Sequence, residues 1–322
     1  MRGRRRAARR LLGVAMLCGA LALSACTAPS ARLGPGEQRI AGGVTAGIYY
    51  GYGEHFAAEL RGELGLDIAV DETHGSVDNL QRVGAGEALL GFAQGDTAAD
   101  AVAGSGDFDE PQAIRAVARV YDEYVHVVVP ADSPIRRVSE LAGHRVSLGA
   151  PNSGVQVIAS RVLEASEVPA DAIENPALGL AASIQALRAG EIAGFFWVGG
   201  LPTPGLADLA AESPIRLLPI EAGTVERVNA GHAGVYRVSD FPVGVYGVEA
   251  PSATMTVPNL LVTRASAPEE LVHDITRVLF ERRTELASRI AAAEYLDRRQ
   301  AIFTGPIALH PGAARYYREA HR

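Results

Sequence analysis

Eight short apolar or alternating runs, at residues 39–44, 67–71, 89–93, 125–129, 145–148, 194–198, 215–220 and 256–263, are separated for the most part by stretches with helical spacing. Runs of that length bounded by turn signals read as strands, and strands alternating with helices predict α/β layers. The clearest helix spans 268–290, where Leu271, Ile275, Val278, Leu279, Leu286 and Ile290 recur at helical spacing behind the capping-box pattern Ser266-x-x-Glu269. A chain of 322 residues with this alternation is expected to form two lobes rather than one large sheet.

The first residues tell where such a chain works. Six arginines lie within residues 1–10, an uncharged apolar run covers 11–23, and Leu23-Ser24-Ala25-Cys26 follows. This is the layout of a secretory signal, with an apolar run too short to cross a bilayer comfortably. Its ending resembles the bacterial lipobox, which implies a signal peptide over 1–26, lipidation at Cys26 and a chain held on the outer face of a membrane, periplasmic or extracellular. The Arg9-Arg10 pair leaves a twin-arginine export route open. Residues 27–38 are small, polar and proline-bearing and read as a tether. The only other cysteine, Cys18, lies inside the signal, so the folded part has no disulfide and depends on its core. Six of the 30 basic residues and none of the 37 acidic ones precede Cys26, so removing the signal takes the net charge from −7 to −13. That sign disfavours nucleic acid as a partner.

Three places set a glycine beside a hydroxyl residue at an expected helix start: Thr45, Ala46, Gly47 and Tyr49; Gly75 and Ser76; Ser153 and Gly154. Such turns bring backbone close to an anion and aim free N–H groups at it, although each hydroxyl also suffices as a simple helix cap. Together they predict partly positive helix ends gathered at the carboxyl edge of the sheet, where α/β folds bind ligands. Nucleotide phosphate is excluded as the anion of the first turn. Residues 42–53, GGVTAGIYYGYG, lack both the P-loop lysine and the dinucleotide glycine pattern, and all 30 basic residues are arginine. Phe196 and Trp197 end a strand before two glycines, and Gln94 and Asp96 follow another, so these side chains are cleft candidates or, equally, core and caps.

Catalysis and metals have weaker support. PNSGV lacks the first glycine of a nucleophile elbow, the eight histidines are scattered singly, and no zinc or calcium motif occurs, so no metal or cofactor is expected. A lipid-anchored serine hydrolase using Ser76 or Ser153 is the remote alternative.

With these stretches assembled, the chain resembles the TAXI-type solute-binding subunits of TRAP transporters. The resemblance runs through GVTAGIYYGYG from Gly43, THGSVDNLQRVGAGEALLGFAQGD from Thr73, RVYDEYVHVVVPADSPI from Arg119, ELAGHRVSLGAPNSG from Glu140, AGEIAGFFWVGGLP from Ala189 and LHPGAARYYRE from Leu309. It implies a type II periplasmic-binding-protein fold with a strand hinge, lobe one formed by 39–125 and 260–322 and lobe two by 126–259. It implies no catalysis, a small carboxylate ligand such as glutamate, glutamine or another organic acid, and a sodium-coupled TRAP permease as membrane partner. An ABC importer or a sensor kinase is the alternative partner. Transferred by residue, the resemblance assigns ligand contacts to Thr45, Ala46, Gly47, Tyr49, Gly75, Ser76, Gln94, Ser153, Gly154, Phe196 and Trp197. Ile48, His74, Asn152 and Val155 depart from the usual Thr, Gly, Gly and Thr, which points to an acid less polar than glutamate.

Overall fold

The computed structural model describes residues 37–320. The signal peptide, Cys26 and nearly all of the expected tether lie outside the described residues. The tether's last residue, Gln38, opens the first strand, its N–H bonded to the Asp67 carbonyl at 2.6 Å. In chain order the elements are β1 Gln38–Ala41, α1 Ile48–Leu64, β2 Ile68–Asp71, α2 Ser76–Ala85, β3 Leu90–Gln94, α3 Gly95–Ala103, β4 Ile114–Pro130, β5 Val146–Ser147, α4 Gly154–Ala165, α5 Leu180–Arg188, β6 Gly194–Gly199, α6 Pro204–Glu212, β7 Ile215–Leu217, α7 Ala222–Gly231, β8 Arg237–Phe241, β9 Ser252–Arg264, α8 Glu269–Glu281, α9 Arg283–Ala287 and α10 Pro311–Ala320.

The strands order as β2-β1-β3-β9-β4-β6-β5, with β7 added on β4 and β8 on β9. β1 pairs in parallel with β2 and β3, and β5 with β6; every pairing of β4 and β9 is antiparallel. Those two strands carry the architecture. β4 pairs with β9 through its first half and with β6 and β7 through its second, while β9 reaches from β3 at one end to β8 at the other. The apolar core divides along them. One cluster holds Val125, Val127 to Val129, Met255 and Val257; a second holds Ile114, Ala116, Leu260 and Val262 together with Val77, Leu80 and Val83 of α2. Two helix-covered cores are thus joined by two long strands, because each short parallel set must bury both faces under its own helices.

Several sequence expectations need correction. β4 is 17 residues long where a five-residue strand is expected, because its first half is interrupted by Arg115, Arg119 and Asp122, which a periodicity test reads as polar breaks. β8 is missed because Arg237, Val238 and Asp240 leave it mostly exposed. The single helix over 268–290 is two helices that meet at Arg282, and its N-cap is Pro268, which has no side-chain cap bond, so the Ser266 capping box does not form.

Candidate functional site

Three helices point their N-termini into one cavity. α1 begins behind Gly47, α2 behind Gly75 and α4 behind Ser153, and all three turns contribute to the wall. Only the third is capped by its own side chain: Ser153 Oγ accepts from Gln156 N–H at 3.2 Å and donates to the Ala150 carbonyl at 2.6 Å. Gly47 and Gly75 offer no side chain, so the leading N–H groups of α1 and α2 are without a side-chain acceptor. The expectation that each turn caps itself therefore holds at one of three, and the other two helix ends retain anion-binding capacity.

Glycine is required at two of these positions. Gly75 has φ +119°, a conformation L side chains rarely adopt, and it aims the start of α2 inward. A Cβ at Gly154 would lie 1.8 Å from Gln94 Oε1 and 2.8 Å from Ser76 Oγ, so only glycine lets α4 approach α2 and β3 this closely. The main chains also meet there, Asp78 N–H donating to the Asn152 carbonyl at 3.2 Å. Asn152 sits at φ +60°, a conformation asparagine tolerates, which accounts for its standing where glycine is usual.

Of the eleven residues expected to contact ligand, Gly47, Tyr49, Gly75, Ser76, Gln94, Ser153, Gly154, Phe196 and Trp197 line this cavity, as do Ile48, His74 and Val155. Thr45 and Ala46 do not. Thr45 is exposed, its hydroxyl 3.4 Å from Glu72 Oε1, and Ala46 packs on the larger core. Trp197 is 9% exposed, its indole N–H donating to Thr203 Oγ1 at 3.1 Å. Asp96 faces away from the cavity. It is fully buried against Arg161 of α4 at 2.6 Å and accepts from Tyr236 Oη at 2.5 Å, while Arg161 also pairs with Asp100. Burial raises the Asp96 carboxyl, against the lowering effect of the Arg161 charge.

The sequence reading misses the residue at the polar centre of the cavity. Glu123 of β4, 2% exposed, accepts from Gln94 Nε2 at 2.8 Å, Tyr49 Oη at 3.1 Å and Tyr121 Oη at 3.2 Å. It has no ion pair among the described residues, and burial pushes its carboxyl up to about 7 despite those three donors and the neighbouring amide of Asn259. A signal for it exists: Tyr121, Glu123, Val125 and Val127 share one face of a strand, and starting that strand at Val125 hides the carboxylate from the pattern. Gln94 Oε1, buried in the same wall, has no hydrogen-bond partner among the described residues. Much of the rest of the lining is apolar, including Leu178, Leu180 and Val198, and the cavity measures about 40 Å³. Among the described residues no cluster of His, Cys, Asp and Glu is arranged to hold a metal, and no helix is long and apolar enough to cross a membrane. Ser76 Oγ bonds to Gln94 N–H at 3.1 Å and lies 3.4 Å from Tyr49 Oη, and neither it nor Ser153 has a histidine partner among the described residues.

A model of the NMT1-like family matches residues 40–320. Solved structures with this fold include MatC of Rhodopseudomonas palustris with bound malate, at 16% identity over 89% of this chain and 96% of that one, TM-score 0.55. PhnD1 of Prochlorococcus marinus in complex with methylphosphonate shares 10% identity over 88% and 95%, TM-score 0.54. A Listeria monocytogenes chain described as an L-cystine ABC transporter shares 12% identity over 81% and 98%, TM-score 0.51. The fold is the two-lobed α/β fold of the periplasmic binding proteins, with β4 and β9 as its connecting strands.

Proposed function

The chain belongs to the NMT1-like family, and from that premise we propose that it is an extracytoplasmic solute-binding protein that captures a small carboxylate and passes it to a membrane importer, without catalysis. The observation that carries this reading is the convergence of three helix N-termini on one small cavity whose wall contains no arginine. An oxyanion there takes its hydrogen bonds from backbone N–H groups and hydroxyls, in the manner of helix-end anion sites. Malate and methylphosphonate, the ligands of two neighbours of this fold, are likewise small oxyanions.

The lobes proposed are 39–125 with 260–322, and 126–259, with the cavity in the cleft. The division of the core between Ala116 and Val125 on β4 and between Val257 and Leu260 on β9 supports them. Closure is a hinge motion in which contacts from both sides favour the closed state. For the membrane partner, the family match and the Listeria neighbour support an ABC importer better than the sodium-coupled TRAP permease that the six TAXI-like segments imply. A gene for a transport ATPase beside this one would decide for the first, and a TRAP permease gene for the second. The proposed anchor at Cys26 is checked by fractionation and mass: Cys26→Ser is expected to lose the acyl mass and either to leave the membrane pellet or to keep its signal uncleaved, and a variant that fractionates and migrates like the wild type would refute it.

Binding itself is tested by thermal shift. A small carboxylate at about 100 times its Kd is expected to add about 2.7 kcal/mol of stability and raise the melting midpoint by several degrees, whereas its methyl ester or amide at the same concentration adds little. Stabilisation confined to sugars, polyamines or metal ions would overturn the carboxylate reading.

A further inference from the structure

We infer that the cavity is built for a zwitterion: an α-amino acid with a compact apolar side chain, whose carboxylate faces the helix N-termini and whose ammonium is received by Glu123 and Gln94 Oε1. The inference rests on the carboxylate reading above and narrows it.

The polar groups of the cavity divide into donors and acceptors. The starts of α1 and α2 present N–H groups without side-chain acceptors. Glu123 presents a carboxyl, and Gln94 an amide oxygen without a partner among the described residues. In Gln94 Nε2 donates to Glu123 at 2.8 Å, which leaves Oε1 beside Gly154. Asn259 of β9 brings a further amide to Glu123, but an amide supplies no charge, and a carboxylate taken out of water asks for a cation or a proton. Among the described residues none of the ion pairs includes Glu123. Its titratable neighbours are Tyr49 from α1 and Tyr121 from its own strand, with His74 on the cavity wall; Gln94 on β3 and Ser76 on α2 are uncharged, and Asp122 is held by Arg119 at 2.6 Å. A ligand ammonium supplies the missing charge.

The donor and acceptor ends are linked through one chain of side-chain contacts. Ser76 Oγ, at the first residue of α2, is 3.1 Å from Gln94 N and 3.4 Å from Tyr49 Oη, which in turn donates to Glu123. Apart from His74 and Ser153, the remaining wall, with Ile48, Val155, Leu178, Leu180, Phe196 and Trp197, is apolar and favours a compact apolar side chain.

The test uses the full mature protein and matched pairs: L-alanine with pyruvate, L-valine with 2-oxoisovalerate, and L-glutamate and malate as the more polar acids. Calorimetry near pH 6 in buffers of different ionisation enthalpy reads affinity and proton exchange together. L-Alanine or L-valine is expected to bind about tenfold to a hundredfold more tightly than its 2-oxo partner, which lacks the ammonium, and to release a proton as Glu123 ionises beside it. Glu123→Gln is expected to erase both the preference and the proton release. The wild-type proton count stands without that variant. Equal binding of 2-oxo and amino acids, tighter binding of L-glutamate or malate, or an unchanged preference in Glu123→Gln would overturn the inference while leaving the carboxylate reading intact. If no compound of the panel binds, both fall.

Discussion

Replacing Arg161 with methionine is expected to cost the fold about 3–5 kcal/mol, the range for stripping one partner from a buried ion pair. Arg161 is 8% exposed and Asp96 fully buried, so solvent does little to compensate the carboxylate left behind. The guanidinium bridges Asp96 at 2.6 Å, Asp100 and Tyr236 Oη at 3.1 Å, tying α3 to α4 and to the segment before β8. A loss of that size corresponds to a melting midpoint lower by about 10 °C for a chain of this length. Adding Asp96→Asn in the Arg161→Met background is expected to return part of the loss, since the orphaned charge is then gone. A single variant that melts within about 1 °C of the wild type would show that the network contributes nothing net. If α3 and α4 lie in different lobes, the same variant also weakens the closed state, and solution scattering would record a larger radius of gyration.

The second large effect is a pH profile with two opposed limbs. Glu123 has its carboxyl raised from 4.5 to about 7 by burial, so the folded state holds its proton more tightly than the unfolded chain. Its contribution is complete below about pH 4.5 and is lost as pH rises to about 7, at about 1.4 kcal/mol per unit and about 3 kcal/mol in all. His126 behaves in the reverse direction. It is fully buried against Phe241 and Tyr246, neither ring nitrogen has a hydrogen-bond partner among the described residues, and burial lowers it from 6.5 to about 3. The unfolded chain takes up the proton first, so stability is complete above about pH 6.5 and falls below it by about 1.4 kcal/mol per unit. Between about pH 4.5 and 6.5 the two slopes cancel. Denaturant unfolding of Glu123→Gln, measured as the difference from wild type, is expected to gain about 3 kcal/mol between pH 4.5 and 7 and to stay level above that. His126→Phe is expected to show a level difference above pH 6.5 that grows as pH falls, and it leaves no buried nitrogen unpaired. Differences that do not vary with pH would contradict both assignments.

The half of the cavity formed by helix starts was legible in sequence because its pattern is local. Gly47, Gly75, Ser76, Ser153 and Gly154 are each marked by a glycine next to a helix start, and chain order alone puts strand-to-helix turns on one edge of the sheet. Gln94 could be placed for the same reason, at the end of β3. Glu123 was not legible, because its meaning comes from Tyr49, Gln94 and Tyr121, which the fold brings to it from separate elements. Arg161 is the same case at longer range: its partners lie 61, 65 and 75 residues away, and within α4 it reads as an ordinary charge on a helix. The fold class followed from alternation, which survives errors of several residues at every strand end. The length of β4 did not, because a strand that passes between two cores loses its simple period.

The claim that a small carboxylate occupies the cavity between α1, α2 and α4 is tested most directly by native mass spectrometry of the mature chain. Ser76→Ala and Ser153→Ala, which take a hydroxyl from the cavity wall without adding an atom, serve as the matched controls. The account predicts one small acid per wild-type chain, acquired during expression or from a mixture of free acids, released on unfolding and carried at lower occupancy by the two alanine variants. A wild-type chain that stays empty in that mixture, or that carries a ligand without a carboxylate, would contradict it.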